Sequence, residues 1–361
     1  MTEMKRDETR SVYAFIRVLG VTVLAILMLV GISAAPFADP INKGGSIGYV
    51  IDLTPAPNTV TATVNVGNSP LGVAVNPAGT EIYVTNAGSN TVSVINTATN
   101  TVTSTITVGN SPLGVTVNPA GTRVYVANEY DGTVSVIDTA TSKVTATVTV
   151  GQSPEGVAVN PAGTRVYVTN AGDGTISVIN TNSINWVTYN TVTSTVPVGI
   201  IPFGVAVNPA GTKLYVSNVG SNTISVIDTA TNTVTSTVPV GDHPWGVTVN
   251  PTGTRVYVTN GYSNTVSVIG TATNMVTSTV PVGEGPVGVA VNPAGTKVYV
   301  TNSESNTVSV INTNSRNGAT YNTVTSTVPV GYNPWGVAVN PAGTKVYVAN
   351  DMSNTVSVIN T

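Results

Sequence analysis

Beyond residue 57 the chain is a succession of short runs in which apolar positions alternate with Thr, Ser and Asn. Alternation at period two puts successive side chains on opposite faces of a pleated ribbon, so each run predicts a strand. Gly72–Asn76 predicts a first strand, A. Asn76-Pro77-Ala78-Gly79-Thr80 predicts a tight turn, because Pro pre-sets its φ and Gly tolerates positive φ. Ile82–Asn86 predicts strand B, and Thr91–Asn96 strand C after a turn at Gly88-Ser89-Asn90. Thr101–Val108 predicts strand D, with Val102, Ile106 and Val108 on one face.

This unit recurs. Pro-x-Gly-Val appears with Gly72, Gly114, Gly156, Gly204, Gly246, Gly288 and Gly336, at spacings of 42, 42, 48, 42, 42 and 48 residues. Seven four-stranded copies predict an all-β, seven-bladed β-propeller with four antiparallel strands per blade. Pro197, Pro239, Pro281 and Pro329 fall in D strands. Proline lacks a ladder donor, so D is expected at the outer edge and A along the central channel. The last copy stops at Thr361 after its C strand, and a spare D-like strand, Thr59–Val66, precedes the first. The N-terminal strand is therefore expected to close the C-terminal blade. Tyr49–Leu53 resembles a further C strand, either a fifth strand of that blade or a loose neighbour.

The N-terminal pattern is different. Lys5, Arg6, Arg10 and Arg17 precede 21 uncharged residues, Val18 to Ala38, that end in Ser33, Ala34, Ala35 and Ala38. A basic head, an apolar core and small residues read as a signal peptide or, uncleaved, as a membrane anchor through residues 18–38. Either places the remainder outside the cytoplasm, secreted or at the cell surface. The expected organisation is residues 1–38 as signal or anchor, 39–57 as linker and 58–361 as propeller.

Composition narrows the chemistry. Only 8% of residues are charged, against about 25% in ordinary soluble domains. No Lys/Arg cluster lies beyond the N-terminal segment, which argues against nucleic acid. Without cysteine, disulfides, Cys-ligated zinc, Fe–S clusters and thiol nucleophiles are excluded, and a His-based triad would have only His243.

The B strands read Tyr83-Val84-Thr85-Asn86, Tyr125-Val126-Ala127-Asn128, Tyr167-Val168-Thr169-Asn170, Tyr215-Val216-Ser217-Asn218, Tyr257-Val258-Thr259-Asn260, Tyr299-Val300-Thr301-Asn302 and Tyr347-Val348-Ala349-Asn350. With the Asn-Pro-Ala-Gly-Thr turn and the Ser-Val-Ile strand, residues 58–361 resemble the Tyr-Val-Thr-Asn (YVTN) β-propeller repeat family. The resemblance is to its surface-layer-type proteins of methanogenic archaea and their bacterial relatives. It implies a cell-envelope protein, mostly without assigned activity, although related propellers include lactonases, a lyase and electron-transfer subunits.

A residue present in every blade serves every blade. The B-strand Tyr is expected to pack between blades and the Asn to bond the following turn. Function is expected where blades differ, in the D–A and B–C connections, which share one face. That face holds Glu129, Asp131, Glu155, Asp173, Asp242, Glu284, Glu304 and Asp351 and no Lys or Arg, whereas cations gather on the other. Such a dipolar disc steers a partner, or merely solubilises its turns. The acids are candidate Ca²⁺ ligands, but no recognised ligand spacing accompanies them, and Asp131-Gly132 and Asp173-Gly174 also suit tight turns. His243 beside Asp242 is either a general base or a polar loop residue. Phe203, Trp245, Tyr332 and Trp335 either stack on a sugar or partner, or plug the channel. Two six-residue insertions in C–D connections bring Trp186 and Tyr189, and Arg316 and Tyr321, as candidate docking loops or drifted surface hairpins. These observations lead to an exported, non-enzymatic scaffold or binding module for a cell-envelope protein or polysaccharide. The alternatives are a metal-assisted lactonase- or lyase-like enzyme at the acidic mouth, and a carbohydrate binder using Trp245 and Trp335.

Overall fold

The computed structural model describes residues 33–37, 48–52, 57–182, 184 and 187–361. The chain divides into two compact units, one of residues 1–59 with Asn360 and one of residues 60–359 with Thr361. In the first, Ser33–Phe37 pairs antiparallel with Gly48–Asp52, Ala35 opposite Val50. The segment expected to resemble a C strand thus forms a separate two-stranded sheet, not a fifth propeller strand. A period-two pattern predicts a strand but does not choose its partner. Leu53, Trp186 and most of the 18–38 segment lie outside the described residues. Among those described, no helix is long and apolar enough to cross a membrane.

The second unit is the seven-bladed propeller. Every blade is a four-stranded antiparallel meander in the order A-B-C-D, as in blade 1 with Pro70–Val75, Glu81–Asn86, Thr91–Asn96 and Thr101–Thr107. The A strands of successive blades lie side by side, including Pro334–Val339 against Pro70–Val75, so the ring is continuous. The seventh sheet contains Pro334–Val339, Lys345–Asn350, Thr355–Asn360 and, outermost, Thr59–Asn65. In the first six sheets the outer strand joins through a bulge, and in all seven a Thr of that strand donates its hydroxyl to a C-strand carbonyl. Thr103 does so to Val94 O in blade 1 at 3.2 Å, and Thr61 to Val358 O in blade 7 at 3.3 Å.

The core lies in the seams between blades. Tyr83 packs with Val124 and Val126 of blade 2, Tyr215 with Val256 and Val258 of blade 5, and Tyr347 with Ile82 and Val84 of blade 1. All seven B-strand tyrosines are fully buried. Because each sheet has a neighbour on both faces, B and C strands are buried on both. The alternation in strand C does not mark a solvent face: Ser93 is 2% exposed and accepts from Asn86 Nδ2 at 3.0 Å. The B-strand Asn also donates to the Thr that opens strand C, Asn86 to Thr91 Oγ1 at 3.0 Å.

The B-strand hydroxyl joins neighbouring blades. Pro-x-Gly leaves the A–B ladder, with Pro70 opposite Asn86 and pairing resuming at Val73 opposite Val84. Thr85 Oγ1 fills that gap, accepting from Gly72 N at 2.8 Å and donating to Leu113 O of blade 2 at 2.6 Å. Thr169, Ser217, Thr259 and Thr301 repeat this clasp onto the carbonyls of Phe203, Trp245, Val287 and Trp335. Ala127 and Ala349 lack the hydroxyl. The approach is close enough to require glycine: a Cβ on Gly156 would stand 2.3 Å from Phe203 O.

Candidate functional site

The bulge in strand A sets the mouth. It turns the x residue of Pro-x-Gly out of the ladder toward the channel entrance, as bulges re-aim side chains. The seven residues so placed are Leu71, Leu113, Glu155, Phe203, Trp245, Val287 and Trp335, six apolar and one carboxylic acid. Phe203 meets Trp245 edge-on at 4.6 Å between ring centroids. Trp245 meets Trp335 at 5.9 Å, and Phe203 meets Trp335 at 6.3 Å. Aromatics from blades 4, 5 and 7 thus converge into one half-buried cluster. Beside it opens a cavity of about 730 Å³ whose wall includes Glu129, Tyr130, Asp131 and Glu155 as well as the three rings.

Glu155 stands apart from the other acids. Its Oε2 is buried and has no hydrogen-bond partner. Burial first, and the nearby Glu129 charge second, push its carboxyl up to about 8. Elsewhere on the face most acids are engaged in loop-to-loop bonds. Asp131 accepts from Asn110 N and Asn110 Nδ2, each at 2.7 Å, and Asp173 from Gln152 N at 2.7 Å. In the other five blades a Ser accepts that same N–H, as Ser89 does from Asn68 N at 2.7 Å. Gly132 and Gly174 take the left-handed φ of +62° and +64° that Asn90 adopts at +56°. Asp-Gly is therefore a paired replacement of Ser-Asn: the carboxylate replaces the hydroxyl acceptor, and the glycine supplies the left-handed residue. Glu129 accepts from Ser111 Oγ at 2.9 Å, Asp242 from Asn222 Nδ2 at 3.0 Å, and Asp351 from Asn333 Nδ2 at 2.9 Å while also meeting Ser69 Oγ. Glu284 and Glu304 are exposed. No group of three or more His, Asp or Glu side chains that could hold a metal occurs among the described residues.

His243 stacks on Tyr262 with centroids 3.8 Å apart, at a φ of +52°. Its backbone N–H donates to Asn222 Oδ1 at 2.9 Å, and its Nδ1 is buried without a partner.

The inserted loops are partly folded onto the propeller. Tyr321 is half-buried and lies under the Arg255 guanidinium of blade 5, 5.2 Å from ring centroid to carbon. Tyr189 is half-buried and sits beside Tyr125 of blade 2. Both tyrosines fold back on the disc, leaving Ile184, Val187 and Arg316 outward. The cations of this face are also partly engaged: Arg165 Nη1 donates to Thr229 O of blade 4 at 2.6 Å, and Arg123 pairs with Asp138 at 3.2 Å.

Several surface residues escape a search for charge and for large aromatics on D–A loops. Tyr130, Tyr262 and Met352 occupy one equivalent B–C position and are more than 70% exposed. Ile200 and Ile201 stand out with Tyr332 on the D–A loops. Ile201 has φ of +53°, a strained conformation for a β-branched residue. Comparing the B–C position across repeats, where other blades have Gly or Glu, is the signal that finds the first three.

Residues 89–246 match the choice-of-anchor I domain family. Among solved structures, the hydrazine synthase of Kuenenia stuttgartiensis aligns with a TM-score of 0.74 at 22% identity, over 86% of this chain and 99% of that chain. At that identity the likeness shows the fold alone. No curated protein matches the chain.

Proposed function

We propose that this is a surface-associated, non-enzymatic propeller of the surface-layer type that binds a cell-envelope protein or polysaccharide through its mouth face. One observation carries the reading. Six exposed large apolar side chains, Tyr130, Ile200, Ile201, Tyr262, Tyr332 and Met352, lie on the face that holds the eight acids, while Ile184, Val187 and Met275 are exposed elsewhere. Clustered exposed apolar groups with a polar surround mark interaction surfaces, and the acidic field favours a partner with basic groups. The name of the choice-of-anchor I domain, matched over residues 89–246, supports surface association. The N-terminal basic-apolar segment supports export.

The test is a sedimentation assay of the full chain with isolated envelopes of the source cell. Replacing Tyr130, Tyr262, Tyr332 and Met352 together by Ser is expected to reduce bound protein at least tenfold without loss of fold by circular dichroism. Added salt is expected to slow association. Undiminished binding by the quadruple variant would overturn the assignment of this face.

A further inference from the structure

We propose that the mouth cavity is a binding site for an organic ammonium cation, held between the Glu155 carboxylate and the rings of Phe203, Trp245 and Trp335. This gives a ligand class to the mouth face and rests on the reading above only in taking that face as open to partners.

The cavity contains an unmet demand. Its volume of about 730 Å³ is that of a small-molecule site. Glu155 lines it, with Oε2 buried and lacking a hydrogen-bond partner, so ionising this carboxyl with no counter-charge beside it is strongly unfavourable. The other two acids of the wall are satisfied by the chain itself, Glu129 by Ser111 and Asp131 by Asn110. No Lys, Arg or His lines the cavity, so the protein supplies no counter-charge. The titratable groups facing Glu155 are Glu129, Tyr130 and Asp131 from the B–C turn of blade 2, and none is basic.

The missing partner is therefore a cation, and the rings say which kind. A hard metal ion takes six or more oxygens, and no three-acid group is assembled among the described residues. An alkylammonium spreads its charge over apolar carbon. It can meet the carboxylate on one side and aromatic faces on the other, with both contacts strengthened by exclusion of water. The raised Glu155 carboxyl adds a signature. With its titration near 8, the empty site is mostly protonated at neutral pH, and cation entry expels that proton.

The experiment is isothermal titration of the full chain with choline, with its neutral isostere 3,3-dimethylbutan-1-ol, and with Nα-acetyl-lysine amide. Titrations at about pH 7 in two buffers of different ionisation enthalpy count released protons. Choline is expected to bind with proton release and to tighten about tenfold between pH 7 and pH 9, as the ionised fraction rises. Glu155→Gln is expected to weaken binding at least tenfold and to remove both the proton release and the pH dependence. Trp245→Leu is expected to weaken binding with proton release retained, and Glu284→Gln, outside the cavity, to change nothing. The same signature with the lysine derivative would assign the ligand as a polypeptide amine; choline alone would assign a methylated ammonium. Equal binding of the neutral isostere, or no binding of either cation at about 20 mM, would overturn the proposal. Undiminished envelope binding by the rim variant, with the parent chain binding choline as expected, would sink only the rim assignment.

Discussion

The two faces of the disc come from one repeat and follow different rules. On the basic face the A–B turn reads Asn-Pro-Ala-Gly-Thr in six blades and Asn-Pro-Thr-Gly-Thr in the fifth. Its Asn Oδ1 accepts two backbone N–H groups, as Asn76 does from Thr80 at 2.8 Å and Glu81 at 3.1 Å. Bond and side chain are the same group there, so the residue is fixed. On the mouth face the first D–A residue gives its backbone N–H to a Ser or Asp 21 residues later, from Asn68 to Ser89 through Tyr332 to Ser353. Its side chain is not part of that bond; those of Asn110 and Asp242 add bonds of their own to Asp131 and Asn222. That position therefore takes Asn, Gln, Ile, Asp, Glu and Tyr without disturbing the frame. Where the main chain is the anchor the side chain can vary; where a side chain is the anchor only a group offering the same acceptor replaces it, as Asp131 and Asp173 replace Ser.

The sharpest break of this contrast is in the seams. Tyr215→Ala removes a fully buried ring between blades 4 and 5 and is expected to cost about 3–5 kcal/mol in urea unfolding. Thr169→Ala deprives Gly156 N and Phe203 O of their clasp and is expected to cost about 1–3 kcal/mol. Glu155 links stability to pH. Its folded-state carboxyl titrates near 8, above the ordinary value of 4.5, so the folded state holds the proton that the unfolded state has released. Stability is therefore expected to fall as pH rises from about 4.5 to about 8, and Glu155→Gln to flatten the profile measured by thermal melts. Ala127→Thr supplies the hydroxyl missing at the joint between blades 2 and 3 and is expected to stabilise by about 1 kcal/mol. Tyr130→Ser on the mouth rim is expected to stay within about 0.5 kcal/mol of the parent while weakening envelope binding.

The propeller was legible because its signals are local. The Pro-x-Gly spacing counted the blades, Pro197 and its equivalents marked the outer strand, and the uniformity of Tyr83 and its equivalents marked the seams. The mouth was legible only as a position. Phe203, Trp245 and Trp335 occupy one repeat position, but their mutual contact depends on convergence across the ring. Asp131 and Asp173 looked like site acids until their bonds to Asn110 and Gln152 gave them the task of Ser89. Glu155 looked like one acid among eight, and only its apolar ring neighbours and orphaned oxygen distinguish it. Tyr49 read correctly as strand-forming, yet its partner, the Ser33–Phe37 strand, lacked any pattern that announced the pairing.

The outermost strand of the seventh sheet has a consequence for how the molecule comes into being. Thr61 finds its hydrogen-bond partner in Val358, 297 residues further along. The earlier strand therefore waits, edge exposed, until the 297 residues up to Val358 have emerged. Six sheets can assemble from neighbours as they appear, but the seventh depends on the longest loop closure in the molecule. During synthesis the strand is thus a vacant pairing edge, the kind of segment that joins the wrong chain when many copies are made side by side. The Thr-rich, nearly uncharged strand from Thr59 to Asn65 has no proline or charge of its own to guard that edge in the interval.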